Sequence, residues 1–215
     1  MTAPYAGKAT RAVVVAIVAL ITLASCSSGG SGDSLDQQQQ DASDQGYVSG
    51  DGSTTSIPPE DRTGAVKFEG VTEWGETVNQ NDLVGSVTVV NFWYAGCPPC
   101  RAEASDLVSA HEEFVDQGVV FLGVNTRDGK AQAVAFAEEF GIEYSSILDT
   151  LGNRAVQRAF AALTPLTAVP TTLVLDAEGR VAHRVIGQIA GVSQMRALIT
   201  ETLDETKPDV SGESQ

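Results

Sequence analysis

Cys97 and Cys100 stand three residues apart in Cys97-Pro98-Pro99-Cys100. At that spacing two thiols can close a small disulfide ring and open it again. So short a loop constrains the unfolded chain little, so the pair points to reversible redox chemistry rather than to a static staple. The chemistry needs one sulfur as a ready thiolate. Cys97 falls where a helix should start, and there the unpaired N–H groups and the helix dipole favour the anion. Pro98 and Pro99 suit the first turn, where proline costs no intrahelical hydrogen bond. Cys97 is therefore expected to attack a substrate disulfide and Cys100, one turn inside and more buried, to resolve the mixed disulfide. A zinc site would need two more ligands. The remaining cysteine is Cys26, and the two histidines, His111 and His183, have no local spacing to the pair. No metal and no cofactor beyond the Cys97–Cys100 disulfide is expected.

The flanking pattern supplies a strand before the pair and a helix after it. Ser86-Val-Thr-Val-Val-Asn-Phe-Trp93 is a β-branched, apolar run suited to a buried central strand. From Pro98 the apolar residues fall at three- and four-residue steps, through Ala104, Leu107, His111 and Phe114, until Gly118. Val119–Val124 reads as a second buried strand and Ala131–Phe140 as a second helix. Ala65–Gly70 reads as a short edge strand and Leu151–Ala162 as a further helix. Pro170–Asp176 and Arg180–Ile186 flank Gly179 as a hairpin, and Val192–Leu203 closes the fold as a helix. Parallel early strands joined by crossover helices, then an antiparallel hairpin, make an α/β fold with a mixed central sheet flanked by helices.

The rest of the chain reads as an address and a tether. Lys8 and Arg11 precede the apolar run Ala12–Ala24, whose thirteen residues would span roughly 20 Å as a helix, short of a ~30 Å hydrocarbon core. That is the pattern of an export signal. Its end, Leu23-Ala24-Ser25-Cys26, resembles the lipobox of bacterial lipoproteins. The resemblance implies cleavage before Cys26 and a lipid anchor on it, at the extracytoplasmic face of the cell membrane. Residues 1–25 are thus expected to be a signal peptide. Residues 26–63, rich in Gly, Ser, Gln and Asp, are expected to be a disordered tether, 64–204 the folded domain and 205–215 a polar tail. The formal charge of −15 argues against binding nucleic acid.

Asn91-Phe-Trp-Tyr-Ala-Gly-Cys-Pro-Pro-Cys-Arg-Ala-Glu103 resembles the active-site segment of TlpA/ResA-type thioredoxin-like proteins, and Ala168-Val-Pro-Thr-Thr-Leu-Val-Leu-Asp176 is similar to the segment carrying that family's cis-proline. The resemblance implies a thioredoxin-like fold and a thiol–disulfide oxidoreductase acting on oxidised or reduced protein substrates, for example in cytochrome c maturation. It also implies recharging by a membrane electron-transfer partner such as a CcdA/DsbD-like protein. The Val169–Pro170 bond is expected to be cis and to pack on the cysteines, with the Val169 backbone pairing with a substrate strand. Trp93 is expected beside the active site, as part of the substrate surface.

Two departures from the pattern bear on chemistry. Thioredoxins proper carry a buried aspartate where this chain has Asn91, which accepts no proton; Glu103, one turn past Cys100, is the best substitute. Gly96 replaces the usual aromatic before the first cysteine, and its loss is expected to open the surface there. Peroxiredoxins want Thr or Ser where Tyr94 stands, which argues against a peroxidase. Alternatives are a disulfide-forming oxidant, or, less well matched, a Sco-like copper-delivery protein or a solute-binding lipoprotein.

Overall fold

The computed structural model describes residues 52–150, 154–163 and 168–206. The signal segment, Cys26 and the tail from 207 lie outside the described residues.

The strands are β1 (Ser53–Ser56), β2 (Glu69–Val71), β3 (Thr77–Asn79), β4 (Thr88–Trp93), β5 (Val120–Asn125), β6 (Ser146–Leu148), β7 (Thr171–Leu175) and β8 (Val181–Ile186). The helices are α1 (Pro98–Phe114), α2 (Lys130–Phe140), α3 (Ala155–Ala159) and α4 (Val192–Glu205). Six strands form one sheet in the order β1-β8-β7-β4-β5-β6, while β2 and β3 form a separate hairpin. β4, β5 and β6 run parallel; β7 is antiparallel to β4, β8 to β7 and β1 to β8. β4 is central and buried at every position, as its unbroken apolar run requires.

Strand alternation divides the core. Val89 of β4, Val174 and Val185 meet Leu107, Ala110 and Phe114 of α1 and Met195 and Ile199 of α4 on one face. Val90 and Phe92 point the other way, onto Val66, Phe68, Val156 and Phe160. Asn91 and Trp93 share the α1 side with Val89, and this places them under the cysteines. The hairpin turn closes through Gly179 at φ 77°, where a side chain would be strained.

Several expected elements are corrected. The edge strand at Ala65–Gly70 is displaced to Glu69–Val71, which pairs with β3 and not with the main sheet. Val66 and Phe68 instead insert into the core from an irregular segment. Of the helix expected at Leu151–Ala162, Ala155–Ala159 is helical and Phe160–Ala162 is turn, while 151–153 lie outside the described residues. The tether expected over 26–63 does not extend to its end, because Ser53–Ser56 pairs with β8 as an edge strand. All four of its side chains are exposed, so no hydrophobic pattern announces it; backbone hydrogen bonds hold it. Its Ser56 hydroxyl also lies 2.9 Å from Nδ1 of His183, a buried histidine that burial holds below its ordinary pKa. At the other end, Glu205 closes α4 and does not begin the tail.

Arg62 pins this added segment down. Its buried guanidinium donates to Asp176 at 3.1 Å and, through both terminal nitrogens, to Glu205 at 2.7 and 2.8 Å; its Nε donates to the carbonyl of Ile57 at 2.9 Å. Arg62→Met is expected to cost about 2 kcal/mol, less than a fully stranded charge because Asp176 keeps Arg180 as a partner. A lowered urea midpoint at unchanged slope is the measurement; an unmoved midpoint would show that the segment is not part of the cooperative unit.

Candidate active site

α1 begins where the sequence places it. Cys97 is the N-cap, its backbone extended at φ −82° and ψ 112°, and its sulfur accepts the N–H of Cys100 at 3.2 Å. Pro98 and Pro99 occupy the first helical positions, where they forfeit no intrahelical bond. The two cysteines are joined as a disulfide with Cα atoms 5.3 Å apart. The Val169–Pro170 bond is cis, and Val169 packs in one apolar cluster with both cysteines, Trp93 and Phe136.

Both cysteines are buried, so Cys100 is not set apart as the more buried of the two. Cys97 is 0% exposed and Cys100 3% in this disulfide form. Gly96 itself is exposed, yet losing an aromatic there does not uncover Cys97, which Val169 and Tyr94 help to enclose. Trp93 lies in the same apolar cluster as the two cysteines. It is 4% exposed, lies over Phe136 with ring centroids 4.3 Å apart, and donates its indole N–H to the Ser146 hydroxyl at 3.2 Å. Gly123 permits that bond: a Cβ there would come within 2.1 Å of Ser146 Oγ and 2.8 Å of the indole nitrogen.

Glu103 is completely buried, one turn past Cys100 on α1. One carboxylate oxygen accepts from Asn91 Nδ2 at 2.9 Å and the other from the backbone N–H of Ile189 at 2.9 Å. Asn91 also donates to the Thr172 hydroxyl at 3.1 Å, so β4, β7, α1 and the segment after β8 meet at one carboxyl group. Burial pushes Glu103 up to about 7; its two hydrogen bonds pull it down and nearby Asp106 adds to the rise. Asn91 accepts no proton, as expected, and its contribution is to hold the group that does. Asn91 and Cys100 line one cavity of about 10 Å³, with Trp93 and Tyr144 on its walls, room for a single water at most. Cys100 and the residue holding Glu103 thus border the same small space.

The surrounding residues settle into supporting places. His111 packs its ring edge-on against Phe121 and Tyr144, on the apolar stripe. Arg101 pairs with Glu139 and lies over the Phe140 ring at 5.0 Å, so its charge is already matched. Among the described residues no group of His, Cys, Asp and Glu could hold a metal ion.

A disulfide at a helix start, a cis peptide bond whose Val169 packs with both cysteines and a buried carboxyl group near neutrality one turn away are an arrangement suited to thiol exchange. Comparison with known proteins agrees. Residues 62–184 match the AhpC/TSA family. The chain belongs to the AhpC/TSA family. Its fold is thioredoxin-like, as the resemblance of the two motifs implied. The thiol-disulfide oxidoreductase ResA of Bacillus subtilis is 30% identical over 113 residues, 53% of this chain and 60% of that one. The thiol:disulfide interchange protein DsbE of Pseudomonas aeruginosa is 30% identical over 132 residues, 60% of this chain and 68% of that one. The structure of a secreted thiol-disulfide isomerase from Corynebacterium glutamicum superposes with a TM-score of 0.65 at 27% identity, covering 74% of this chain and 96% of its own. The AhpC/TSA match takes in the pair, Glu103 and Pro170. The matched residues do not include β1 or α4.

Proposed function

We propose that this protein is an extracytoplasmic thiol–disulfide oxidoreductase, anchored to the membrane by lipid on Cys26, that reduces protein disulfides. The single observation carrying the reading is the Cys97–Cys100 disulfide set at the start of α1, packed with Val169 of the cis Val169–Pro170 bond. In its reduced form the Cys97 thiolate attacks one sulfur of a substrate disulfide. That S–S bond breaks, and the departing substrate sulfur takes a proton. Cys100 then gives up its proton and attacks Cys97, releasing the second substrate sulfur. Two electrons pass from the protein to the substrate and the Cys97–Cys100 bond forms; of the two protons on the product thiols, one balances the proton lost by Cys100 and the other comes from the water that took the Cys97 proton. We assign to Glu103 the role of accepting the Cys100 proton: it follows Cys100 by one turn of α1, and burial raises it to about 7.

The docking role falls to the Val169 backbone, pairing with an extended substrate segment beside Pro170. Substrates include the haem-site cysteines of apo-cytochrome c, and a CcdA/DsbD-like membrane protein returns the electrons. What supports this is the kind of relative the chain matches: ResA and DsbE proteins named for thiol–disulfide exchange.

The midpoint potential of the Cys97/Cys100 couple tests direction, measured on the purified protein equilibrated in redox buffers and read by alkylation of those two residues. A value near −270 mV, as in thioredoxin, is expected for a reductant; one near −120 mV would make disulfide formation the activity instead. A couple that never equilibrates would remove the redox reading altogether.

A further inference from the structure

The turn that delivers Cys97 to α1 is held from outside the helix. Tyr94, Ala95 and Gly96 connect the end of β4 to the N-cap, and the turn closes through the N–H of Cys97 on the carbonyl of Tyr94 at 3.1 Å. Gly96 is exposed and contributes no side chain to fix it. Ala95 is where the restraint enters. Its N–H donates to Oδ2 of Asp128 at 2.6 Å, and its carbonyl faces Nη1 of Arg101 at 3.5 Å.

Asp128 belongs to the loop after β5, and that loop is built to hold it still. Asn125, fully buried at the end of β5, donates its Nδ2 to the same Oδ2 at 2.9 Å. The Asn125 Oδ1 accepts the backbone N–H groups of Arg127 at 3.1 Å and Asp128 at 2.7 Å. The loop is then tied to its neighbours, the Thr126 N–H donating to the carbonyl of Trp93 at 2.9 Å and the Thr150 hydroxyl to the carbonyl of Asp128 at 3.3 Å. A side chain restrained on so many sides can transmit its position to Ala95.

We infer that Asp128 is a positioning residue for the redox centre: its Oδ2 holds the Ala95 peptide so that Cys97 stays in the N-cap geometry that favours its thiolate. This deepens the oxidoreductase reading and rests on it for its biological meaning. The physical consequence can be read without any turnover. The N-cap sulfur accepts the Cys100 N–H and lies at the positive end of the α1 dipole. If the Ala95 peptide is released, that alignment loosens and the thiol holds its proton to higher pH.

Three substitutions separate position from charge. Both bonds converge on one oxygen, so Asp128→Asn keeps the acceptor and loses the charge. Asp128→Glu keeps the charge and displaces the acceptor, and Asp128→Ala loses both. The experiment is the rate of iodoacetamide modification of Cys97 against pH in the reduced full-length protein, followed by peptide mapping so that Cys26 and Cys100 are counted separately. Positioning predicts that Asp128→Ala and Asp128→Glu move the Cys97 midpoint upward by about one unit, about tenfold slower modification below it, while Asp128→Asn stays with the wild type. The inference is overturned if all three follow the wild-type profile. It is equally overturned if Asp128→Asn and Asp128→Ala shift downward together while Asp128→Glu does not, the signature of a bare charge. Should the alanine variant fail to fold, the contrast between the asparagine and glutamate variants decides alone. A wild-type protein that reduces no disulfide would sink the functional reading and leave this titration interpretable.

Discussion

Cys97→Ser is expected to lower disulfide-reductase activity by roughly a thousandfold or more, whereas Cys100→Ser is expected to stop turnover at the mixed disulfide. The two variants fail differently because the two sulfurs do different work. Cys97 is the N-cap, where the Cys100 N–H and the first turn of α1 favour its anion. Without it nothing attacks the substrate. Without Cys100 the attack proceeds, but the linkage between Cys97 and the substrate has no internal thiol to resolve it. Intact-mass measurement of Cys100→Ser after incubation with an oxidised protein substrate should therefore show one covalent adduct per chain, released by an added reductant. Multiple turnover by Cys100→Ser, or activity retained in Cys97→Ser, would each contradict this assignment of roles.

Replacing Glu103 with glutamine should change how the protein responds to pH in two separate ways. The first is kinetic. A group near pH 7 can take the Cys100 proton at neutral pH, and positioned acid–base groups contribute about a hundredfold or more. Glu103→Gln is expected to slow the resolving step by about that factor and to erase an inflection near pH 7 in its rate profile. An unchanged profile would assign the inflection to another group. The second is thermodynamic. In the unfolded chain this carboxyl group titrates near 4.5 and in the fold near 7, so between those pH values the folded state holds a proton that the unfolded state has lost. Its contribution is complete below pH 4.5 and disappears as the pH rises to 7, a loss of about 3 kcal/mol. His183, lowered by burial, works in the opposite sense, stabilising above its ordinary value of 6.5 and weakening the fold as pH falls. Denaturant titrations across pH 4 to 8 should show the decline toward neutrality in the wild type and a much smaller one in Glu103→Gln, where Glu73, also raised by burial, still contributes in the same sense.

Much of the site is legible in the residues because its signals are local. A proline pair inside the cysteine ring, a β-branched run before it and an apolar stripe after it specify strand, N-cap and helix through neighbours along the chain. For the same reason β4, α1, α2, the β7–β8 hairpin and α4 fall within a few residues of where the pattern puts them. The cis bond at Pro170 came from resemblance, since a proline opening a strand by itself marks only a boundary. β1 left no trace in the pattern because an edge strand with four exposed side chains is held by backbone bonds that any sequence can make.

Spacing alone places Glu103 one turn from Cys100; only the fold decides that it is buried. Its environment comes from β4, β7 and the segment after β8, which tertiary packing brings together: Asn91 and Thr172 lie 81 residues apart, and Ile189 is 86 from Glu103. That desolvation lifts an ordinary carboxyl group from 4.5 to about 7. Asp128 is a similar case. In sequence it is one polar residue in an Asn-Thr-Arg-Asp-Gly turn, and it reaches Ala95, 33 residues away, because β4 and β5 are parallel neighbours whose ends share one edge of the sheet. The signal for this chemistry is thus written locally around Cys97 and Cys100. The tuning of that chemistry depends on long-range contacts, because pKa and geometry answer to what surrounds a group in space.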